Sequence, residues 1–272
     1  MNTQFGVPVR NADAEDSEMP LPELADRWAL FLDVDGTLVE IAEHPLAVRV
    51  EPALIEVLAR LQRLLRGAVA LVSGRCVLDL DRLFAPLHLT IAGQHGAEIR
   101  HASGEMTLER PALAAGKFAR VALAALAAQH PGLYFEDKGA ALAVHFRRAP
   151  QLGPIVRRTL DGVARRSDGE FLLQDGKMVW ELVPHGKNKG GAIAELMNEA
   201  PFAGRIPVFI GDDLTDERGF AFVQDLKGHA IKVGGARTAA RHRLGGARQV
   251  RSWLRSYAEW LEQPAASQRP NE

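Results

Sequence analysis

The stretch ALFLDVDGTLVE, residues 29–40, decides the fold expected for this chain. It begins with four apolar residues, as in strands that are buried on both faces of a parallel sheet. This run leads directly into two carboxylates, Asp33 and Asp35, and into an Asp-Gly pair that is common in turns. A buried strand that ends in charged residues indicates either a simple turn or a ligand-binding site at the end of the strand. By itself the stretch leaves both interpretations open.

Two further segments have the same design, a short apolar run followed by polar residues. They are VALVSGR (69–75) and IPVFIGDD (206–213). Between the first two runs lies PALIEVLARLQRLLRG (52–67), in which leucines recur at helical spacing. The alternation predicts an α/β fold, a Rossmann-like doubly wound and mainly parallel sheet with helices on both faces. The polar tails are then expected to meet in one crevice. A further strand is predicted at HAIKV (229–233), and a last helix from residue 250 is expected to pack on the core.

The middle of the chain has a different pattern, typical of a small α+β unit. It contains two helical segments, the alternating strand AALAVHFRR (140–148), and the hairpin-like EFLLQDGKMVWELVP (170–184) with an Asp-Gly turn signal. We therefore predict an α+β cap domain over residues 111–184, inserted into a core formed by residues 27–110 and 185–272. Residues 1–26 are predicted to be a flexible leader.

Composition limits the possible partners. The net charge is −1, so the chain has no overall field that would attract nucleic acid or an anionic membrane. No apolar run approaches the roughly 18 residues needed to span a bilayer. The single cysteine, Cys76, fits a reducing compartment and is expected to be a small buried hydrophobe. We expect a cytoplasmic monomer that binds neither nucleic acid nor membrane.

Carboxylates are concentrated in the predicted crevice. GDDLTDE (211–217) follows one strand, as Asp33 and Asp35 follow another. Grouped carboxylates repel one another unless a cation or a proton neutralises them. Oxygen ligands without His or Cys favour a hard cation, and Mg²⁺ typically takes one or two carboxylates together with phosphate oxygens. The sequence therefore predicts a Mg²⁺ site.

Basic and hydroxyl groups complete a predicted phosphate site. Lys187 and Lys189 precede a helix that opens with two glycines, so a lysine and free backbone N–H groups can face an anion together. Lys189 is preferred because it lies next to the glycines. Ser73 adds a hydroxyl at the end of its strand. The chain lacks a GxxxxGK[ST] loop, so a nucleoside triphosphate cradle is not indicated. An aspartate can attack phosphorus, and a second carboxylate can then serve as acid and base.

The motifs DVDGTL, LVSGR, NKG and GDDLTD, in this order, resemble the haloacid dehalogenase-like phosphatase superfamily over nearly the whole chain. The resemblance implies that Asp33 is the nucleophile and Asp35 the general acid and base. It also implies that Thr37 positions the acid and the phosphate loop, and that Ser73 and Lys189 bind the phosphoryl group.

The same resemblance implies the ligands of the metal ion. Mg²⁺ is expected to be held by Asp33, by the main-chain carbonyl of Asp35 and by Asp212. Asp213 and Asp216 are expected to support this site. The position of the insertion is similar to that of the larger α+β caps of the superfamily.

Four stretches narrow the resemblance to the trehalose-6-phosphate phosphatase family: GQHGAEIR (93–100), FEDKGAALAVHFR (135–147), GKMVWELVPHGKNKGGA (176–192) and GDDLTDERGF (211–220). In that family, charged residues of the cap bind the hydroxyls of the disaccharide. The residues to which this role carries over are Glu136, Lys138, Lys177, Glu181, Arg147 and His145. Strand alternation predicts that Phe135, Val179 and Trp180, which lie between them, pack within the cap. His95, between two glycines, is expected to have a structural or rim-binding role.

The leading hypothesis is a Mg²⁺-dependent phosphatase that acts on the phosphosugar trehalose 6-phosphate, at the last step of trehalose biosynthesis. Alternative substrates are sucrose phosphate and glycosyl phosphoglycerate. Two different functions compete with this hypothesis, a phosphosugar mutase of the same superfamily and a sugar-phosphate sensor without catalysis. The cap stretches favour the phosphatase, and the presence of Asp35 argues against the sensor.

Overall fold

The structure is a computed structural model that describes residues 20–42, 44 and 47–264. In chain order, its strands are β1 (Trp28–Leu32), β2 (Val69–Val72), β3 (Thr90–Gly93), β4 (Glu98–Arg100), β5 (Met106–Leu108), β6 (Tyr134–Asp137), β7 (Leu142–His145), β8 (Phe171–Gly176), β9 (Val179–Pro184), β10 (Ile206–Gly211), β11 (His229–Val233) and β12 (His242–Leu244). Its α-helices are α1 (Pro52–Leu64), α2 (Val77–Phe84), α3 (Leu113–Gln129), α4 (Gly153–Arg165), α5 (Lys189–Met197), α6 (Glu217–Asp225) and α7 (Ala247–Glu262).

Eight strands form the larger sheet, in the order β12-β11-β10-β1-β2-β3-β4-β5. The strands from β12 to β3 pair in parallel, whereas β4 and β5 add an antiparallel edge. The predicted α/β fold with a doubly wound, mainly parallel sheet is confirmed. The central strand β1 is fully buried, because apolar residues occupy both of its faces.

Helices cover both faces of this sheet. Trp28 and Phe31 are three residues apart on β1 and therefore point to opposite faces. Trp28 stacks on Trp253 of α7, with ring centroids 5.8 Å apart, and Phe31 stacks on Phe202, which follows α5, at 5.3 Å. Further helix contacts join α1 to α7 and α5 to α6. The predicted packing of the last helix on the core is thus present in the structure.

The smaller sheet is antiparallel, in the order β6-β7-β9-β8, with α3 and α4 packed on one face. The apolar side chains between helices and sheet include Leu123, Val156, Leu160 and Leu182. Because side chains alternate along a strand, Glu181 points to the opposite face from Leu182. That second face, turned toward the ends of β1, β2 and β10, contributes side chains to the main cavity.

The chain passes twice between the two sheets, and the two crossings lie side by side. Glu109, after β5, forms an ion pair with Lys187, before α5, at 2.5 Å. Glu170 accepts a hydrogen bond from the backbone N–H of Ala112 through its carboxylate, and one from His185 through its carbonyl. We call the unit between the crossings the cap and the remainder the core; the boundaries predicted at residues 111 and 184 stay a proposal.

The hairpin of β8 and β9 differs in one detail from its prediction. The sequence predicts an Asp-Gly turn at Asp175 and Gly176, but both residues belong to β8, and Gly176 pairs with Val179. The turn residues are Lys177 and Met178, and Met178 has a positive φ of 63°. Strand β8 is therefore two residues longer than predicted, and Lys177 lies at the tip of the hairpin.

The predicted leader is described only from residue 20 onward, so residues 1–19 lie outside the described part. Pro20 O accepts a hydrogen bond of 2.6 Å from His242, and Ala25 O accepts one of 2.6 Å from the hydroxyl of Tyr257. Leu21 and Leu24 pack against the core. Among the described residues, no helix combines the length and the apolar character required to span a membrane.

Candidate active site

The main cavity lies at the carboxyl ends of β1, β2 and β10. Leu32 pairs with Leu71 on one side and with Ile210 on the other, so the three strands end at the same level. The residues that follow, Asp33, Ser73 and Asp212, therefore lie together and are almost fully buried. The motifs that are far apart in the sequence meet here because parallel strands present their carboxyl ends at one edge of the sheet.

The cavity is lined by residues from both sheets. Of the predicted site residues, all except Thr37 and Asp216 contribute to the lining: Asp33, Asp35, Ser73, Glu136, Lys138, Arg147, Lys177, Glu181, Lys189, Asp212 and Asp213. Thr37 and Asp216 are completely buried behind it. His95 and His145 also line the cavity.

Asp33 is held by two donors. Lys189 Nζ donates to Oδ1 at 2.7 Å, and the Thr37 hydroxyl donates to Oδ2 at 3.0 Å. Burial raises the pKa of Asp33 to about 6, although the nearby ammonium of Lys189 acts in the opposite direction. Lys189 is the first residue of α5, where Asn188 caps the helix by accepting a hydrogen bond from Gly191 N–H. The helix N-terminus thus places a buried ammonium beside the carboxylate.

Three buried carboxylates form a cluster suited to a hard cation. Ligand oxygens of Asp33, Asp212 and Asp216 all lie within 4.8 Å of one another. Lys189 donates to Asp216 at 2.6 Å, and Lys177 of the cap forms an ion pair with Asp212. Burial raises the pKa of Asp212 to about 6, and repulsion from the nearby carboxylate of Asp33 acts in the same direction. The all-oxygen donor set therefore fits Mg²⁺.

The predicted supporting residues have distinct positions. The carboxylate of Asp213 accepts a hydrogen bond from Leu214 N–H at 2.8 Å, at the start of the short helical turn after β10. Asp216 Oδ2 accepts a hydrogen bond from Asp213 N–H at 2.9 Å, so its second oxygen contacts Lys189. Asp216 thus orients both the lysine and the loop, whereas Asp213 caps the turn at the cavity wall.

Gly36 gives the carboxylate cluster the space it needs. Its φ is +85°, and a Cβ atom at this position would overlap the carboxylate of Asp212. A side chain here is excluded both by the backbone conformation and by the carboxylate. Besides its two aspartates, the DVDG motif therefore contributes a glycine, whose lack of a side chain leaves space for the carboxylate of Asp212.

Asp35 faces a different partner from Asp33. The guanidinium of Arg75 donates to both of its oxygens, each at 2.7 Å. Arg75 follows Ser73, and its backbone N–H donates to the Ser73 hydroxyl at 3.2 Å. The two carboxylates of the motif thus have different partners: Asp33 lies beside a lysine within the carboxylate cluster, and Asp35 lies beside an arginine at the cavity.

The cap contributes a chain of charged side chains. Lys138 forms an ion pair with Glu181 and lies 4.0 Å from Glu136, which also contacts His145 at 2.7 Å. Burial alone would raise the pKa of Glu181, but Lys138 and His95 outweigh it and hold this pKa well below its usual range. Glu181 is thus a buried anion between two donors.

Two other predicted cap residues lie at the hairpin tip. The guanidinium of Arg147 donates to the carbonyl of Lys177 at 2.9 Å. Lys177 in turn reaches across the cavity to Asp212 of the core. Arg147 therefore fixes the hairpin tip, and Lys177 at the tip presents its ammonium group to the carboxylate cluster.

The structure separates the roles of the two candidate lysines. Lys187 pairs with Glu109 at the crossing between core and cap, whereas Lys189 contacts Asp33. The geometry supports the choice of Lys189 for the phosphate.

Cys76 is partly buried, and burial raises the pKa of its thiol to about 11, so it is not a reactive thiolate at neutral pH.

Three residues of the site were not singled out from the sequence. Arg75 lies within the LVSGR motif and Gln94 within GQHG, but the sequence alone indicates no role for either side chain. Lys232 is fully buried on β11 and donates to the main-chain carbonyl of Asp212. Its signal was a lysine within the otherwise apolar strand HAIKV.

A comparison with known proteins decides the family. Residues 31–249 match the family model described as trehalose-phosphatase. The chain belongs to the trehalose-phosphatase family. The match begins within β1 and ends within α7, so it spans both the core and the cap of this trehalose-phosphatase family member. The predicted family resemblance is confirmed.

Relatives within the trehalose-phosphatase family cover the chain almost completely. The Escherichia coli (strain K12) protein named trehalose-6-phosphate phosphatase is 42% identical over 251 residues, which is 92% of this chain and 94% of that protein. A probable trehalose-phosphate phosphatase of Sinorhizobium fredii is 42% identical over 234 residues, covering 85% of this chain and 87% of the relative.

Solved structures agree with this family membership. A trehalose-6-phosphate phosphatase related protein has 27% sequence identity and a TM-score of 0.70, with 85% of this chain and 96% of that chain covered. The C-terminal domain of the Candida albicans trehalose-6-phosphate phosphatase has a TM-score of 0.74 at 22% identity, covering 86% and 92% of the two chains. The second likeness concerns the fold.

Proposed function

We propose that this chain is a Mg²⁺-dependent phosphatase that hydrolyses trehalose 6-phosphate to trehalose and inorganic phosphate. The observation that carries the proposal is the position of Asp33. It lies at the end of a buried strand, within the carboxylate cluster and beside Lys189, at a cavity to which the cap supplies Glu136, Lys138 and Glu181. The name of the E. coli relative supports the choice of substrate.

In the first half of the reaction, Asp33 attacks the phosphorus atom. A bond forms between a carboxylate oxygen and phosphorus, while the bond between phosphorus and the sugar oxygen breaks. The Lys189 ammonium and the Thr37 hydroxyl hold the carboxylate in position. For this step Asp35 has to be protonated and to release one of its two contacts with Arg75. It then donates its proton to the leaving sugar oxygen, which avoids the release of a free alkoxide.

In the second half, water attacks the phosphorus of the aspartyl-phosphate. Asp35, now a carboxylate, accepts a proton from this water, and the bond between the Asp33 oxygen and phosphorus breaks. Inorganic phosphate leaves, and the Asp33 carboxylate is restored. Ser73 and Lys189, at the same cavity wall, are assigned to bind phosphoryl oxygens.

Asp33, Asp212 and the main-chain carbonyl of Asp35 are the residues assigned to hold Mg²⁺, with Asp213 and Asp216 in support. When bound, the cation supplies charge neutralisation between the anionic nucleophile and the phosphate. Lys177 and Lys189 supply part of the same neutralisation from the protein, since each forms an ion pair with a cluster carboxylate.

Selectivity is assigned to the cap. Its charged side chains need hydrogen-bonding partners when the cavity is filled, so a substrate without suitable hydroxyls leaves them unpaired. Sucrose phosphate and glycosyl phosphoglycerate present hydroxyls as well, and they remain the alternative substrates. A mutase, which belongs to another class of enzyme, has to retain the phosphoryl group and depends on a sugar bisphosphate.

The test is phosphate release from a panel of phosphosugars, with Mg²⁺ and with chelator. We expect kcat/KM for trehalose 6-phosphate to exceed that for glucose 6-phosphate by about a hundredfold or more. Comparable rates on both would refute the proposed specificity. Conversion of a hexose phosphate into its isomer without phosphate release, in a reaction that requires a sugar bisphosphate, would instead support the mutase.

A further inference from the structure

The loop at Gln94 and His95 has a rare backbone conformation. The φ angles of these two residues are 48° and 58°, in the left-handed region, where residues other than glycine are uncommon. Such conformations persist where the surroundings fix them, often at functional positions. Here the backbone N–H of Gln94 donates to Arg75 O at 2.9 Å, and that of His95 donates to Ser73 O at 3.0 Å. The loop is therefore tied to residues 73–75 of the core, which we call the phosphate loop because Ser73 is assigned to the phosphoryl group.

The side chain of Gln94 reaches the cap. Its Oε1 atom accepts hydrogen bonds from the backbone N–H groups of Ala140 and Ala141, at 2.9 and 2.8 Å. Its Nε2 atom donates to the carboxylate of Glu98 at 3.1 Å, which fixes the orientation of the amide because a carboxylate only accepts. Ala140 and Ala141 are fully buried, so Gln94 satisfies two cap donors that are shielded from water.

The side chain of His95 reaches the cap at a second place. Its Nε2 atom lies 2.9 Å from Glu181 Oε2, while the other oxygen of Glu181 accepts from Lys138. The ring also packs on the phosphate loop, where a Cβ atom added at Gly74 would lie 2.7 Å from Nε2. His95 therefore connects the phosphate loop to the charged pair of the cap.

We propose that Gln94 and His95 are positioning residues that dock the cap on the phosphate loop and thereby hold Glu181 and Lys138 in place for the sugar. This inference rests on the proposed function, because it assigns that pair to the sugar. Both bridges exist only when the cap is docked, since an undocked cap exposes the N–H groups of Ala140 and Ala141 to water. The bridges therefore select for substrates that need the docked cap, such as a disaccharide phosphate.

The test uses Gln94→Asn and His95→Asn. Asparagine tolerates the left-handed conformation, so the backbone is preserved, but its shorter side chain does not reach the cap. Gln151→Asn is the matched control, because Gln151 is an exposed residue of the cap. Each variant is assayed on trehalose 6-phosphate and on p-nitrophenyl phosphate, which has no sugar to position.

We expect KM for trehalose 6-phosphate to rise about tenfold in both loop variants, with a clearly smaller loss of kcat/KM for p-nitrophenyl phosphate than for trehalose 6-phosphate. Hydrogen exchange at Ala140 and Ala141 should be about tenfold faster in Gln94→Asn. The control should match the parent in all three measurements. Equal losses on both substrates, or no change in KM and exchange, overturn the inference.

Failure of the proposed function gives a different result. In that case the parent protein releases phosphate from p-nitrophenyl phosphate but not from trehalose 6-phosphate. The exchange measurement then still tests docking, because it needs no substrate. Faster exchange in Gln94→Asn supports the docking role, and unchanged exchange contradicts it.

Discussion

The carboxylate of Asp35 is held by the guanidinium of Arg75 through two parallel hydrogen bonds, both of 2.7 Å. Two-point pairs of this kind fix the direction of a carboxylate as well as its position. Arg75 follows Ser73 on the phosphate loop, so the orientation of the assigned acid depends on the loop assigned to the phosphate. Asp35 and Asp33 are thus kept in separate environments although one residue lies between them.

Replacement of Asp35 by asparagine should affect substrates according to their leaving groups. A sugar oxygen needs a proton as it leaves, whereas p-nitrophenolate is stable without one. We expect Asp35→Asn to lower kcat on trehalose 6-phosphate by about 10²- to 10⁴-fold, with a much smaller loss on p-nitrophenyl phosphate. An equal loss on both substrates contradicts the role of general acid.

Replacement of Asp33 by asparagine should abolish turnover on both substrates. The amide is a poor nucleophile, so we expect a loss of about 10⁴-fold or more in phosphate release. Because the side chain keeps its shape, the circular dichroism spectrum should stay unchanged. Normal turnover by a folded Asp33→Asn variant would exclude the aspartyl-phosphate mechanism.

The two lysines near α5 should behave differently. Lys189 is almost fully buried between Asp33 and Asp216, whereas the pair of Lys187 with Glu109 is open to solvent on the Glu109 side. We expect Lys189→Ala to lower phosphate release by about 10³-fold or more. Lys187→Ala should remain within about threefold, because exposed ion pairs contribute little. Similar losses in both variants would remove the basis for assigning the phosphate to Lys189.

Stability should depend on pH through Asp33 and Asp212. Burial raises the pKa of both to about 6 in the metal-free protein. A carboxyl group with a raised pKa stabilises the fold at low pH, and this contribution is lost as the pH rises through about 6. Mg²⁺ binds the carboxylate form, so its stabilising effect should grow over the same range.

The measurement is the increase in Tm caused by Mg²⁺ in thermal scans. We expect a larger increase at about pH 7.5 than at about pH 5, since the carboxylates are then ionised without Mg²⁺. Chelator should cancel the increase, and Asp212→Asn should reduce it. An increase that is the same at both pH values argues against Mg²⁺ binding at this cluster.

The steric role of Gly36 can be tested by adding a single methyl group at this position. Gly36→Ala places a Cβ atom against the carboxylate of Asp212 at a backbone φ of +85°. We expect a destabilisation of about 1–3 kcal/mol and weaker Mg²⁺ binding, read from the Mg²⁺ dependence of phosphate release. Gly104→Ala is the matched control, because Gly104 also has a positive φ and no atom of the described residues lies within 4 Å of the added Cβ. Equal Mg²⁺ dependence in both variants would contradict the steric role of Gly36.

The core of the fold could be predicted because its signals are local. The motifs at Asp33, Ser73 and Asp212 each directly follow a buried strand, and parallel strands bring such ends together whatever the distance along the chain. The residues of the cap that face the cavity are harder to predict, because they depend on the side-chain alternation of each strand. The sequence predicts that Phe135, Val179 and Trp180 all pack within the cap. Phe135 and Trp180 do, but Val179 precedes Trp180 on the same strand and lines the cavity instead.

Contacts between distant elements could not be predicted from the sequence. Arg75 contacts Asp35 across 40 residues, and Lys232 contacts the carbonyl of Asp212 across 20 residues. Neither pair has a periodicity or a spacing that indicates contact. The bridges from Gln94 to Ala140 and from His95 to Glu181 depend on how the cap meets the core, which no local pattern records.

The side-by-side crossings at Glu109 and Lys187 join the cap covalently to the core at one place, to which Gln94 and His95 add non-covalent bridges. A lengthened, shortened or exchanged cap that keeps both crossings leaves the register of β1, β2 and β10 unchanged, because none of these strands pairs with it. New sugar preferences can therefore arise by substitution within one continuous stretch, while the apparatus for phosphoryl transfer is inherited intact. A chimaera that joins this core to the cap of another phosphatase at these two crossings is the direct engineering use of that architecture.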